Sequence, residues 1–183
     1  MPKLAELTSG RAWKFGDSIS SNQIAGGRVG AGPDRAAQLK ASCLRAVRPE
    51  FSEQVQPGDI LVAGTNFGNG SSSPGSAEAL QACGLQAIVA DSISRLMMRT
   101  CIAKAIPAFA APGITEIVAD GDELAIDYAA SVARNVTTGA EVPIRRFPPT
   151  VEHIYEAGGI YQVIVKRLAA AGIVPPLDSQ STP

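Results

Sequence analysis

Residues 60–90 read ILVAGTNFGNGSSSPGSAEALQACGLQAIVA, and this stretch decides the fold. An apolar run at 59–64 predicts a buried strand, and a second run at 85–90 predicts another. Between them lies a Gly/Ser-rich loop, followed by a predicted helix over 74–83 that Gly84 ends. Short apolar runs that alternate with helices are typical of parallel strands joined by crossovers.

The loop before this helix has the chemistry of an anion-binding site. The three serines at 71–73 supply hydroxyls, and Pro74 suits the first helical position with Ser73 as its N-cap. The first amides of a helix have no intrahelical partner, and the macrodipole is positive there. Glycines at 68 and 70 would let the backbone approach a ligand closely. The alternative is a tight turn that only caps the helix.

A second predicted helix, 92–105, follows the strand at 85–90, with Ser92 as its expected N-cap. Arg95 and Arg99 fall on its first turns, at the carboxyl end of that strand and on the same rim as Ser71. Ligands of open α/β sheets bind beyond the carboxyl ends of the strands. A solvated helix face is the alternative for both arginines. Asp17 and Asp91, which also end predicted strands, are expected to cap.

The rest of the chain predicts further elements around this unit. The expected strands are 9–17, a third parallel strand at 107–109, and the meander 114–118, 123–127, 131–136 and 141–145, with a turn at 138–139. The expected helices are one opened by Pro33 and ended by Pro49, and a last one carrying Ile160, Val163, Ile164 and Leu168. Residues 18–32 read as a long mobile loop, either a plain loop or a substrate gate.

Composition narrows the class of protein. The 183 residues suffice for one domain with a core of Ala, Val, Ile and Leu, since 45% are apolar and only 5% aromatic. The net charge of −1 argues against a nucleic-acid partner. No apolar run approaches a membrane span and the N-terminus lacks an apolar signal core, so we expect a cytoplasmic protein. Three scattered cysteines predict buried thiols rather than a disulfide framework or a metal site in this chain.

Several known site motifs are absent. No lysine follows the Gly/Ser loop as a phosphate-binding P-loop requires, and Ser73 stands where a dinucleotide motif has its third glycine. The loop is not a nucleophile elbow either. The sole histidine, His153, lies far away in the C-terminal segment, which argues against a Ser–His–acid hydrolase.

Read together, several segments resemble the small subunit of aconitase-superfamily hydro-lyases of the 3-isopropylmalate dehydratase type. The matching segments are 10–17 (GRAWKFGD), 57–64 (PGDILVAG), 66–72 (NFGNGSS), 92–96 (SISRL), 135–139 (NVTTG) and 156–159 (EAGG). They agree with the family in order and spacing and cover nearly the whole chain.

The resemblance implies an α/β fold, a swivelling β/β/α domain with a parallel crossover unit and a C-terminal antiparallel meander. We expect this domain over residues 1–174, with 175–183 as a disordered tail. The family further implies a large partner subunit that holds a [4Fe–4S] cluster, with no cofactor or metal in this chain. The reaction would be the dehydration and hydration of a hydroxy-carboxylic acid, with Ser71 as the base.

The chain also departs from the family pattern. The arginine that follows the family's paired serines, and that holds a substrate carboxylate, is Ser73 here; the family's cysteine is Asn69, and its D-T-D is residues 20–22. The candidate substrate-binding residues are Asn69, Gly70, Ser72, Ser73, Arg95 and Arg28. Either the substrate has fewer or differently placed carboxylates, or Arg95, Arg28 or the partner supplies the charge, or the chain is a non-catalytic swivel subunit that binds and regulates its partner.

Overall fold

The computed structural model describes residues 3–26, 32–70 and 74–173. Within these ranges seven strands form one sheet, in the order β4-β3-β2-β1-β5-β6-β7. The strands are β1 (Ser9–Lys14), β2 (Ile60–Ala63), β3 (Ala87–Ala90), β4 (Ala108–Ala110), β5 (Glu123–Asp127), β6 (Val132–Asn135) and β7 (Glu141–Pro143). The predicted α/β class with a mixed parallel and antiparallel arrangement is confirmed.

Eight α-helices connect and cover the strands in the described part of the chain. They are α1 (Ser21–Ile24), α2 (Arg35–Ser42), α3 (Phe51–Gln54), α4 (Pro74–Ala82), α5 (Arg95–Ala103), α6 (Ile114–Ile117), α7 (Pro149–Ala157) and α8 (Ile160–Ala170), preceded by a 3-10 turn, Leu4–Glu6. None of these helices has both the length and the apolar character that crossing a membrane requires.

Strands β1 to β4 form the parallel half of the sheet. Ala12 is in register with Ile60, Leu61 with Ile88, and Ile88 with Ala108. Every residue of β2 and β3 is buried, because helices cover both faces, and this burial explains the continuous apolar runs in the sequence. The predicted crossover unit, with its parallel strands, is therefore confirmed.

Strand β1 is also the boundary with the antiparallel half. It pairs with β5 through Gly10 and Leu124, and β5, β6 and β7 follow as an antiparallel meander. The β6–β7 turn uses Gly139 at φ 79°, whose N–H donates to the carbonyl of Asn135 at 2.7 Å. This part of the predicted meander is confirmed.

The core lies on both faces of the sheet. Alternate residues of a strand point to opposite faces, so Leu61 and Ile88 join one apolar cluster while Ile60 and Val62 join the other. The first cluster includes residues of α2, α3, α4 and α5, with Trp13 against Phe51 in an edge-to-face contact at 5.2 Å between ring centroids. Helices α6 and α7 contribute to the second cluster.

Two predicted features of the 92–118 region are wrong. The expected strand at 114–118 is helix α6, because Gly113 enters at φ 91° and the carboxylate of Asp91 accepts hydrogen bonds from Gly113 N and Thr115 Oγ1. Helix α5 begins at residue 95 rather than 92, and its N-cap is Ser94, whose Oγ accepts from Met97 N at 3.3 Å. Ser92 Oγ instead accepts from Asn66 N.

Three further differences lie nearer the ends of the chain. Within the loop expected at 18–32, residues 21–24 form helix α1, on which Ser20 and Gln23 make a capping box. The helix expected up to Pro49 ends at Ser42, since Leu44 takes φ 55° and its N–H donates to the carbonyl of Ile24. Helix α7 was not predicted.

Residues 27–31 and the tail from 174 lie outside the described residues. The substrate gate, the disordered tail and the domain boundary at 174 therefore stay predictions.

Candidate functional site

Three loops meet at the carboxyl ends of β1, β2 and β3. We call this region the strand-end rim and define it as residues 16–20, 64–70 and 91–95. Ser20 pairs with Asn69 in a parallel bridge, and Phe67 pairs with Ile93 in another. The loop after β2 therefore lies between its two neighbours, as the predicted parallel order of the strands requires.

Asp17 fixes the start of the loop after β2. Its Oδ1 accepts hydrogen bonds from Thr65 N at 2.6 Å and from Thr65 Oγ1 at 2.9 Å. These bonds, from the backbone first and the hydroxyl second, hold the pKa of the Asp17 carboxyl below its usual range. A Cβ on Gly64 would lie only 2.1 Å from the same oxygen, so only glycine fits there. Asp17 and Asp91 were expected to cap, but neither caps the helix after its own strand: Asp17 binds Thr65 N, and Asp91 binds Gly113 N.

The middle of this loop is bonded to both neighbouring loops through the backbone. Gly68 N donates to Ile19 O at 2.7 Å, and Ser21 N donates to Asn69 O at 2.8 Å. On the other side Phe67 N donates to Ser92 O at 2.9 Å. These bonds fix the path of the chain from Phe67 to Asn69, and Gly70 separates this segment from the three serines in the sequence.

Two serines join the loop to the start of α5. Ser94 Oγ donates to Gly68 O at 2.6 Å while it also caps the helix, and Ser92 Oγ accepts from Asn66 N at 2.7 Å. Asn66 itself takes φ 59°. The sequence reasoning did not single out Asn66 or Ser94, although a serine three residues before Met97 in an apolar helix is a usable capping signal.

Gly68 lets the loop approach α5 closely. Its φ is 72°, and a Cβ there would lie 2.4 Å from Met97 Cγ and 2.5 Å from Met97 Cβ. Glycine is therefore needed here, because the side chain of the buried Met97 occupies the space that a Cβ would take. Gly70, at φ 93°, is exposed, and a Cβ there would be 3.3 Å from Ser21 Oγ.

The structure brings some of the predicted site residues together and leaves others undescribed. Asn69 is half-buried, with Nδ2 donating to Asn66 O at 3.2 Å, and Gly70 follows it at the surface. Arg95 is exposed as the first residue of α5, next to the serine that binds Gly68. Ser71, Ser72, Ser73 and Arg28 lie outside the described residues. The ligand-binding roles of all these residues stay predictions.

The sole histidine lies at the opposite end of the parallel strands. His153 is on α7, and Tyr155 of the same helix donates from its hydroxyl to Ile106 O at 3.0 Å, just before β4 begins. The strand-end rim is at the carboxyl ends of these strands. Fold topology thus separates His153 from the Gly/Ser loop, as its sequence position indicated.

The three cysteines are all free and buried, as predicted. Burial alone raises the pKa of Cys101 to about 12, so its thiol stays protonated at neutral pH. Across residues 3–26, 32–70 and 74–173, no group of three or more His, Cys, Asp or Glu side chains is arranged to hold a metal ion.

Comparison with known proteins places the chain in a family. The family model of the aconitase C-terminal domain matches residues 32–107. The 3-isopropylmalate dehydratase small subunit 1 of Methanopyrus kandleri is 35% identical over 164 residues, which cover 90% of this chain and 96% of that protein. The isopropylmalate/citramalate isomerase small subunit of Methanocaldococcus jannaschii is 33% identical over 91% of this chain and 98% of that protein.

A solved structure agrees with these sequence relatives. The crystal structure of 3-isopropylmalate dehydratase from Methanocaldococcus jannaschii matches with a TM-score of 0.81 and 28% identity. The match covers 90% of this chain and 96% of that chain. The chain therefore belongs to the aconitase superfamily and, within it, to the small subunits of 3-isopropylmalate dehydratase type.

Proposed function

We propose that this chain is the small subunit of a two-subunit hydro-lyase that dehydrates and hydrates a hydroxy-carboxylic acid. Its partner would be a large subunit that holds a [4Fe–4S] cluster, and the pair would work in the cytoplasm without nucleic acid or membrane. The substrate is a small carboxylic acid, isopropylmalate-like or related. Family membership supports the reaction class, because the relatives are named as dehydratase and isomerase small subunits.

The observation that carries the proposal is the hydrogen-bonded construction of the strand-end rim. Backbone hydrogen bonds to the carbonyls of Ile19 and Ser92 and from the N–H of Ser21 fix the chain from Phe67 to Asn69. In the sequence, Ser71 comes two residues after this segment. A catalytic group needs such a rigid support, because small displacements of a reacting atom are costly in rate.

The proposed chemistry of this chain is proton transfer. The Ser71 hydroxyl takes the proton beside the substrate carboxylate and returns it in the reverse direction. A serine acting as base needs positive charge nearby, which the first amides of α4 and the exposed guanidinium of Arg95 can supply. The cluster of the partner, when bound, supplies a Lewis acid for the leaving hydroxyl. The buried and dispersed cysteines of this chain fit a division of labour in which the partner alone holds that cluster.

The substrate contact differs from the family pattern at Ser73. Losing a buried arginine–carboxylate contact removes about 2–4 kcal/mol of binding free energy. The substrate therefore has a carboxylate fewer or differently placed, or Arg95, Arg28 or the partner supplies the missing charge. Asn69, Gly70 and Ser72 complete the proposed binding set.

The same departure favours a second candidate function. A chain that has lost its carboxylate-binding arginine could keep the swivel fold and serve only to bind and regulate a large subunit. The two functions share the partner and differ in turnover, so binding alone does not distinguish them.

The test is anaerobic co-purification with the cognate large subunit, followed by an ultraviolet assay for unsaturated acids over a panel of hydroxy acids. The panel would include mono-, di- and tricarboxylates, because the Ser73 departure changes the expected carboxylate number. Turnover of at least one member would support the dehydratase. A stable complex that turns over none of them would favour the regulatory subunit, and activity without a partner would contradict both.

A further inference from the structure

A single serine hydroxyl joins the loop after β2 to the first turn of α5. Ser94 Oγ donates to the carbonyl of Gly68 at 2.6 Å and accepts from Met97 N at 3.3 Å. A hydroxyl carries one proton to donate and lone pairs to accept, so this one oxygen atom makes both bonds at once. Ser94 is half-buried, and the bonds therefore lie in surroundings less polar than bulk water.

The bond to Gly68 is the last in a row that ties the loop to the segment before α5. Asn66 N and Phe67 N donate to the hydroxyl and the carbonyl of Ser92, at 2.7 Å and 2.9 Å. Ser94 N then donates to Phe67 O at 2.9 Å. The Ser94 hydroxyl extends this row by one residue, to Gly68, which is the member nearest in sequence to the three serines.

The loop needs this support because its backbone conformation is unusual. Asn66 and Gly68 take φ values of 59° and 72°, in the left-handed region that is unfavourable for a residue other than glycine. Gly68 also lies against Met97, where a Cβ would come within 2.4 Å of Met97 Cγ. The same turn of α5 thus packs against the loop and, through Ser94, bonds to it.

The bond also connects the two groups that are proposed to act on the substrate. Arg95, whose exposed guanidinium is proposed to supply positive charge, is the residue after Ser94. The proposed base, Ser71, is three residues beyond Gly68, within about 11 Å of chain. The Ser94 hydroxyl therefore links the segment that leads to the base with the helix end that carries the charge.

Given the proposed function, on which this inference rests, we propose that Ser94 is a positioning residue for the hydro-lyase reaction. It holds the loop that leads to Ser71 at a fixed distance from Arg95, and it acts through the loop rather than by contact with the substrate. The donated bond performs this role, whereas the accepted bond from Met97 N caps the helix. Displacing a reacting group by about 1 Å can lower a rate about 10²-fold, so loss of the donated bond should appear in kcat rather than in KM.

Three substitutions separate the two bonds, and amide hydrogen exchange of the isolated chain measures their effect without partner or substrate. Ser94→Ala removes both bonds, Ser94→Thr keeps the hydroxyl, and Ser94→Asp keeps an N-cap acceptor but has no proton to donate at neutral pH. The amides of Phe67 and Gly68 should exchange faster in the alanine and aspartate variants and at the native rate in the threonine variant. The amide of Met97 should exchange faster in the alanine variant only.

Turnover in the purified complex with the cognate large subunit then tests the effect on the reaction. Ser94→Ala should lower kcat by about 10–10²-fold with KM nearly unchanged, and Ser94→Thr should restore kcat. A merely structural role would lower the melting temperature and the yield of complex, but not kcat per assembled complex. Melting curves of each variant establish which of them are folded.

The proposal is overturned if Ser94→Ala exchanges the Phe67 and Gly68 amides at the native rate, if its assembled complex keeps the native kcat, or if Ser94→Thr does not restore kcat. A native complex that turns over no hydroxy acid would instead contradict the proposed function, and the exchange rates would still decide whether Ser94 holds the loop. If Ser94→Ala does not fold, the exchange rates of Ser94→Asp and Ser94→Thr decide, because these two variants differ in the donated bond.

Discussion

Replacing Gly68 by alanine should destabilise the strand-end rim more than its backbone conformation alone predicts. At φ 72° an L-residue costs about 1–2 kcal/mol. A Cβ there would also lie 2.4 Å from Met97 Cγ. Because Met97 is fully buried, its side chain cannot move away without disturbing the core around it. Overpacking of this kind costs about 1–3 kcal/mol. The expected loss in free energy of unfolding is therefore about 2–5 kcal/mol.

The matched control is Gly139→Ala in the β6–β7 turn. Its φ of 79° is nearly that of Gly68, yet a Cβ there would meet nothing within 4 Å. The control should lose only the conformational cost of about 1–2 kcal/mol. The difference between the variants, about 1–3 kcal/mol, isolates the close approach of the loop to Met97.

Thermal and urea unfolding of the two variants measure this difference. For a chain of this size, 1 kcal/mol corresponds to about 2–4 °C in melting temperature. Gly68→Ala should therefore melt about 2–12 °C below Gly139→Ala. If the two variants melt together, the packing of Gly68 against α5 does not contribute to stability, and the account of the rim is wrong.

Two further predictions concern carboxylates. The buried Trp13 Nε1 donates to the Asp59 carboxylate at 2.7 Å, and Asp59→Ala removes this acceptor. Chemical denaturation should therefore show a loss of about 1–3 kcal/mol in the free energy of unfolding. A change within experimental error would contradict this. The Asp17 pKa is lowered in the folded state, so its contribution to stability is complete above the unfolded pKa of about 3.9 and is lost as the pH falls through the folded value. Asp17→Asn should therefore lose less stability than the native chain between pH 6 and pH 3, and equal slopes would refute the role given to the Thr65 hydrogen bonds.

The central βα units could be predicted from sequence because local pattern and tertiary environment agree there. Strands β2 and β3 are apolar at every position, and helices cover both of their faces. The Thr138–Gly139 turn likewise carries its own signal, since glycine readily takes the φ of 79° that the hairpin uses. At these places the type of each residue matches its surroundings in the folded chain.

The wrong predictions fall where distant contacts override a local preference. Residues 114–118 have β-branched and apolar side chains, but Asp91 binds Gly113 and Thr115 and stabilises a helical turn. The sequence around Ser92 is typical of an N-cap, yet its hydroxyl accepts a hydrogen bond from Asn66 N in another loop. In contrast, α7 carried a usable local signal that was missed, with Pro149 in its first turn and Gly158 at its end.

The candidate site was predictable in position but not in construction. The carboxyl-end rule predicts the loop after β2 and Arg95 at the same edge of the sheet; Asn69 and Arg95 lie there, and their ligand-binding roles stay predictions. The serine hydrogen bonds to Gly68 and Asn66 could not be read from sequence, because they join loops from different strands.

The most direct test of the proposed function is the turnover of Ser71→Ala in the purified complex with the large subunit, on the hydroxy acid that the native complex converts. Ser9→Ala, an exposed serine at the amino end of β1, is the matched control. Ser71→Ala should bind the partner normally and lose about 10²–10⁴-fold in kcat, while Ser9→Ala should retain native turnover. An intact Ser71→Ala complex with undiminished kcat would contradict the assignment of Ser71 as the base.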